Sequence, residues 1–126
     1  ATSEVAEAIS AFPGVLEANV YGVTVPGHDG RAGMVGLVTD ADFDMADFGK
    51  YLISQLPEYA RPLFIRLQGK IEVTGTFKQR KVDLVKQGFD PENINDRLYF
   101  NEAQSGDIQL LDVALYNRIA DDDLRL

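Results

Sequence analysis

Cysteine and tryptophan are both absent from the sequence. Without cysteine there is no disulfide framework, no thiolate metal ligand and no cysteine nucleophile, so packing alone must hold the fold together. No apolar run approaches the roughly 18 residues that a membrane-spanning helix needs, and we expect no transmembrane segment in this chain. Internal repeats and low-complexity linkers are also missing, which excludes solenoid and linker-rich architectures.

Basic charge is scarce. Twelve lysines and arginines stand against twenty aspartates and glutamates, for a formal net charge of -8. Nucleic-acid binders and proteins held on anionic lipid by charge both need a basic footprint, so we expect no nucleic-acid partner. The first residues also lack the basic and apolar regions of a signal peptide. We therefore expect a cytoplasmic protein, with any membrane association supplied by a part of the protein outside this sequence.

The composition is that of an ordinary globular protein, with 45% hydrophobic and 25% charged residues in 126 positions. This length suits one domain with a real core, and we expect a single domain over residues 1–126. Hydrophobic periodicity predicts the order helix, hairpin, helix, strand, helix, hairpin, helix. That order indicates an α+β fold in which helices cover a small, mainly antiparallel sheet of about five strands.

Individual elements follow from local patterns. Residues 15–25 and 31–39 are rich in β-branched side chains and flank a Pro/Gly turn, which predicts a hairpin whose second strand is covered on both faces. Asp44 is predicted to cap a helix that Pro57 ends, and Asp112 to cap a last helix. Further elements are predicted at residues 62–67 (strand), 78–87 (helix), 97–100 and 108–111 (second hairpin), with Val113, Tyr116 and Ile119 facing inward on the last helix.

Most candidate sites have a simple structural explanation. His28 lies in the Pro/Gly turn with one carboxylate beside it, which favours a solvated turn residue over a metal site or a triad. Asp40, Asp42, Asp44 and Asp47 crowd one helix start, but the glycine and glutamate spacing of an EF-hand is missing, so capping is favoured over calcium binding. The phosphate-loop pattern GxxxxGK[ST] and the GxGxxG fingerprint do not occur.

One region carries a net positive charge in an otherwise acidic chain. Residues 61–86 carry seven basic side chains against only Glu72 and Asp83. Such a band could face an anionic ligand, or it could form salt bridges with the acidic remainder, and charge alone favours the second explanation. Its basic members are Arg61, Arg66, Lys70, Lys78, Arg80, Lys81 and Lys86.

Lys78 has the most informative neighbours in this band. It follows Thr74, Gly75, Thr76 and Phe77, a small and hydroxyl-rich loop whose backbone could approach a ligand closely, and it opens a predicted short helix. A lysine in this place is positioned to meet a phosphate. Its ammonium is a compact charge that can donate to a phosphoryl oxygen and a carboxylate oxygen together.

Five segments in order resemble the C-terminal domain of adenylate-forming acyl-CoA synthetases. The pattern is most similar to the very-long-chain acyl-CoA synthetase and fatty acid transport protein branch, in which the loop before the lysine carries TGTF where many other relatives have glycine directly before it. The resemblance covers nearly the whole chain. Its segments are residues 21–23 with 25–34 (YGV and VPGHDGRAGM), 56–62 (LPEYARP), 64–67 (FIRL), 74–81 (TGTFKQRK) and 84–91 (LVKQGFDP).

The resemblance implies an activity. Such enzymes activate a carboxylic acid with ATP to an acyl-adenylate, then transfer the acyl group to CoA, and a mobile C-terminal lid delivers a lysine to the first step. It implies that Lys78 is the catalytic lysine, with Thr74, Gly75, Thr76 and Phe77 as its positioning loop and nucleotide-binding neighbours. The fatty acid, ATP and CoA would be bound by the full-length enzyme, and Mg²⁺ by its N-terminal adenylation domain, the expected partner of this chain. No metal or cofactor is expected on the chain alone, which should be inactive.

Two alternatives stay open. The chain could be a freestanding binding or regulatory module with the same fold, in which case the isolated chain should bind ATP or CoA. It could also be the lid of an adenylate-forming enzyme that uses another acid or another acceptor. The identity of the acid and its chain length cannot be read from these residues.

Overall fold

The computed structural model describes residues 2–69 and 77–121, with the backbone alone for residues 77–80. These residues form four α-helices, one short 3-10 helix and five strands. The elements are α1 (Thr2–Ser10), β1 (Val15–Thr24), β2 (Arg31–Thr39), α2 (Met45–Gln55), the 3-10 helix (Glu58–Ala60), β3 (Phe64–Gln68), α3 (Phe77–Gln87), β4 (Arg97–Asn101), β5 (Ile108–Leu110) and α4 (Val113–Ala120).

The described strands form one sheet in the order β1-β2-β3-β4-β5. Neighbours pair antiparallel except β2 and β3, which are parallel because α2 carries the chain back across the sheet between them. Met34 on β2 lies opposite Phe64 on β3, and Phe64 lies opposite Phe100 on β4. The predicted α+β class with a mainly antiparallel sheet is confirmed.

Helices cover both faces of the sheet, as the apolar run in β2 predicts. Residues 34–38 are all buried; the side chain of Met34 lies in one hydrophobic cluster, and those of Val35 and Leu37 lie in the other. The α1/α2 face is built from Val5, Ile9, Phe12, Val20, Val35, Leu37, Phe48, Leu52 and Ile65. The α3/α4 face includes Tyr21, Val23, Met34, Phe64, Leu84, Phe89, Leu98, Phe100, Leu115 and Ile119.

Helix ends follow the capping predictions. The carboxylate of Asp44 accepts a hydrogen bond from the backbone N–H of Asp47 at 3.0 Å, and that of Asp112 accepts one from Leu115 at 2.8 Å. The inward prediction for Val113 is wrong: it is 40% exposed, because α4 turns Leu115 and Ile119, four residues apart, toward the sheet.

Candidate functional site at helix α3

Helix α3 carries Lys78 in its first turn, since the helix begins at Phe77, one residue earlier than the sequence predicts. The first N–H groups of a helix have no partner within it, and the helix dipole places partial positive charge there. Both effects favour an anion near Lys78. Thr74, Gly75 and Thr76, and the side chains of Phe77 and Lys78, lie outside the described residues.

The basic band divides into side chains with structural partners and side chains on the surface. Arg66 on β3 donates from Nε to Asp96 Oδ2 at 2.8 Å and from Nη1 to Gln87 Oε1 at the end of α3. Its side chain is only 12% exposed. Arg66 therefore joins the sheet to α3, which agrees with the salt-bridge explanation for this member of the band.

Arg61 has a different structural task. Its guanidinium donates to three backbone carbonyls, those of Leu56 at 2.9 Å, Ala103 at 2.7 Å and Ile53 at 3.3 Å. The side chain thus ties the end of α2 to the turn between β4 and β5. Lys86, in contrast, is exposed on α3.

A groove of about 590 Å³ runs between α3 and the β1–β2 hairpin. Its walls include Tyr21, Arg31, Val82, Val85 and Lys86. The groove thus combines an apolar surface, to which Val82 and Val85 contribute, with the basic side chains of Arg31 and Lys86.

Tyr21 is a buried polar group that the sequence did not reveal. Its side chain is 2% exposed, and its hydroxyl has no hydrogen-bond partner among the described residues. Burial raises the pKa of this hydroxyl well above 10, with the Asp96 carboxylate adding to the rise and the Arg66 guanidinium opposing it. Tyr21 therefore lies close to the Arg66–Asp96 ion pair beneath α3.

The Arg66 contacts also escaped sequence reasoning. Asp96 is 30 residues from Arg66 along the chain, and Gln87 is 21 residues away. No local pattern marks either pairing, because the sheet register and the path of α3 bring these residues together. Only the basic character of Arg66 gave a signal, and it did not identify a partner.

The other candidate residues keep structural roles. The Asp40 carboxylate accepts the backbone N–H of Asp42 at 2.8 Å, and Asp44 caps α2, which confirms capping at Asp44. Within residues 2–69 and 81–121 no three histidine, aspartate or glutamate side chains gather as a metal-ligand set. His28 lies in the β1–β2 turn as predicted, but it is partly buried rather than fully solvated.

The longest helices in the described part of the chain have 11 residues, and none of its helices meets the length and apolarity required of a membrane span.

Comparison with known proteins identifies relatives over the whole chain. Residues 4–78 match the family described as AMP-binding enzyme C-terminal domain, and the match ends at Lys78. Long-chain fatty acid transport protein 6 of Mus musculus is 41% identical over 100% of this chain and 21% of its own length. Protein 2 of Rattus norvegicus is 42% identical with the same coverage, and protein 3 of Homo sapiens is 44% identical over 100% of this chain and 19% of its own. The chain thus spans about one fifth of the length of these curated relatives.

Proposed function

Because this chain belongs to the family of AMP-binding enzyme C-terminal domains, we propose that it is the lid of an ATP-dependent ligase that joins long- or very-long-chain fatty acids to CoA. Residues 1–126 would form one lid domain, and the N-terminal adenylation domain of the same protein would be its partner. The observation that carries the proposal is the coincidence of two features at Lys78: it closes the matched segment, and it lies in the first turn of α3.

In the first half-reaction a carboxylate oxygen of the fatty acid attacks the α-phosphorus of ATP, and the bond to pyrophosphate breaks. The Lys78 ammonium would donate to the attacking carboxylate and to an α-phosphate oxygen, holding the two anions together. It would also neutralise the negative charge that grows as pyrophosphate leaves. Residues 74–77 would position the lysine by holding its backbone at the N-terminus of α3.

In the second half-reaction the thiolate of CoA attacks the acyl carbon, and AMP leaves. A rotation of the lid would withdraw Lys78 and present another face of the domain to CoA. The lysine would therefore act in adenylate formation alone, and the two half-reactions would respond differently to its removal.

Lys78→Ala in the full-length protein tests this role. Adenylate formation, measured by pyrophosphate exchange, should fall by a factor of about one hundred or more, the usual cost of losing one preorganised charge. Thioester formation from supplied acyl-adenylate should stay within about twofold of the unsubstituted enzyme, because that step would not use the lysine. Equal losses in both half-reactions would sink the proposal.

Lys86→Ala is the matched control, since Lys86 is an exposed lysine of the same helix near its other end. Both half-reactions should persist in that variant. Calorimetry of the isolated 126-residue chain with ATP and with CoA separates the lid from a freestanding binding module, because the lid alone should bind neither measurably. A panel of acids and acceptors on the full-length enzyme separates fatty acid–CoA ligation from related adenylate-forming reactions.

A further inference from the structure

Helix α3 is fastened to the sheet through its second half. Leu84 is buried in the α3/α4 face, and the N–H of Gly88 donates to the Leu84 carbonyl at 3.1 Å as the helix ends. Gly88 has φ 62°, the left-handed conformation that terminates many helices. Phe89 then stacks on Phe64 of β3. The sheet therefore holds α3 near the end opposite Lys78.

Arg66 supplies the polar part of this attachment. Its guanidinium lies between Asp96, just before β4, and Gln87, the last residue of α3. The rigid guanidinium can donate to both acceptors at fixed angles, whereas the ammonium of a lysine would leave the direction of the contact loose. The Arg66–Asp96 pair is largely shielded from solvent, with side-chain exposures of 12% and 29%. The shielded, charge-assisted pair fixes the Arg66 guanidinium on the sheet side, and from there it reaches the exposed Gln87 at the end of α3.

The direction of α3 decides where Lys78 is delivered. Lys78 and Gln87 are nine positions apart, which is about 14 Å along a helix axis. A tilt of about 10° at the anchored end would displace the backbone of Lys78 by about 2 Å. A misplacement of about 1 Å in a reacting geometry can lower a rate by about a hundredfold. Small changes at the anchor should therefore be amplified at the lysine.

We propose that Arg66 is a positioning residue for adenylate formation: by holding Gln87 against the sheet it sets the direction of α3 and so the place of Lys78. It acts through the helix and touches no reactant. This inference rests on the proposed function of Lys78. It also assigns a purpose to a largely buried arginine that lies beside Asp96 and Tyr21.

The first test compares half-reactions in the full-length enzyme. Arg66→Gln should slow pyrophosphate exchange by about tenfold or more, and Gln87→Ala by about threefold or more, since both loosen α3. Thioester formation from supplied acyl-adenylate should change by less than about twofold in both. Gln87 is exposed, so its substitution should not unfold the chain and keeps the test decisive even where Arg66→Gln folds poorly.

Two further variants separate positioning from stability. Gln87→Glu keeps an acceptor for the guanidinium and should retain pyrophosphate exchange, but only while Arg66 is present. Arg61→Gln is the matched control, because it also removes a hydrogen-bonded guanidinium, yet its three hydrogen bonds join the end of α2 to the β4–β5 turn. It should lower thermal stability and leave the ratio of the two half-reaction rates unchanged.

Hydrogen exchange in the 126-residue chain gives a readout independent of catalysis. Gln87→Ala should speed the exchange of α3 amides relative to α2 amides, and Arg61→Gln should do the reverse. Unchanged hydrogen exchange of the α3 amides in Gln87→Ala, or equal losses in both half-reactions, would overturn the positioning role.

The two proposals fail in different ways. If Lys78→Ala blocks pyrophosphate exchange while Gln87→Ala leaves it intact, the positioning role alone is wrong. If Lys78→Ala leaves pyrophosphate exchange intact, the proposed function itself fails.

Discussion

The ring of Phe89 stacks on the ring of Phe64, with centroids 4.1 Å apart and planes 13° from parallel. This contact joins the segment just after α3 to the middle of the sheet. Phe64 is fully buried and Phe89 is 3% exposed. The pair therefore fixes the position of the chain immediately after α3.

Phe89→Ala should lower the free energy of unfolding by about 3–5 kcal/mol, the usual cost of removing a buried ring and leaving a cavity. Phe89→Leu should cost less, because the site stays largely filled and the main loss is the ring contact, worth about 0.5–1.5 kcal/mol. Urea unfolding of the 126-residue chain measures both. Tyr59→Ala is the control: this ring is 92% exposed, so its loss should change stability by no more than about 0.5 kcal/mol. A cost for Phe89→Ala as small as the control would contradict the packing described here.

Gly49 and Gly106 bring α2 and the β4–β5 turn into close contact. A Cβ atom on Gly49 would lie 2.2 Å from the Gly106 carbonyl oxygen, so Gly49→Ala must move the backbone of the turn. We expect a loss of more than about 2 kcal/mol in the free energy of unfolding, as for overpacked cores. Gly33→Ala is the matched control in β2, where the added methyl would meet Pro62 at an ordinary 3.5 Å. Thermal unfolding that ranks Gly33→Ala as the more damaging change would refute this prediction.

The buried Tyr21 hydroxyl should be dispensable for stability. Tyr21→Phe removes a buried polar atom that has no partner among the described residues, and we expect unchanged or higher stability, by up to about 1–3 kcal/mol. Tyr51→Phe is the contrasting variant, because the Tyr51 hydroxyl donates to the Ala8 carbonyl at 2.7 Å and its loss should cost about 1 kcal/mol. Relative to the unsubstituted chain, the denaturant midpoint of Tyr21→Phe should therefore stay the same or rise, and that of Tyr51→Phe should fall. A clear loss of stability in Tyr21→Phe would mean that the hydroxyl has a partner after all.

Alkaline pH should lower the stability of the folded chain through Tyr21. Burial keeps the pKa of Tyr21 above 10 in the folded chain, so above pH 10 the unfolded chain releases this proton while the folded chain retains it. The contribution of Tyr21 to the free energy of unfolding is therefore complete below pH 10. It declines as the pH rises beyond 10, by up to about 1.4 kcal/mol per pH unit. Unfolding midpoints at several pH values between 9 and 11 should fall more steeply for the unsubstituted chain than for Tyr21→Phe. Parallel slopes would show that Tyr21 ionises normally in the folded protein.

Local patterns predicted the elements well because local physics decides them. The Pro/Gly turn at residues 26–30 and the β-branched runs beside it are sufficient to specify the β1–β2 hairpin. Asp44 and Asp112 sit as N-caps because their carboxylates can reach free N–H groups within one turn of the chain. Element bounds shifted by one or two residues, as at Phe77, because helix and strand ends depend on distant packing.

The candidate site was only partly predictable. Lys78 and residues 74–77 emerged from an ordered set of motifs, and their assignment stays a prediction. The basic band was a weaker guide, because a charge in the sequence does not indicate whether a surface, a carbonyl or a carboxylate will meet it. Arg61 and Arg66 look alike in sequence, yet one ties α2 to a turn and the other ties α3 to the sheet.

By itself the sequence determined the α+β class, the two hairpins, the capped helices and a lysine at the start of a short helix, since each depends on periodicity, capping or motif order within a few residues. The tertiary structure alone decided which residues meet across the sheet. The parallel pairing of β2 with β3, the Arg66 bridge to Asp96 and Gln87, and the buried Tyr21 hydroxyl all join positions far apart in the chain. Such contacts depend on strand register and helix placement, which many weak interactions set together and no single segment encodes.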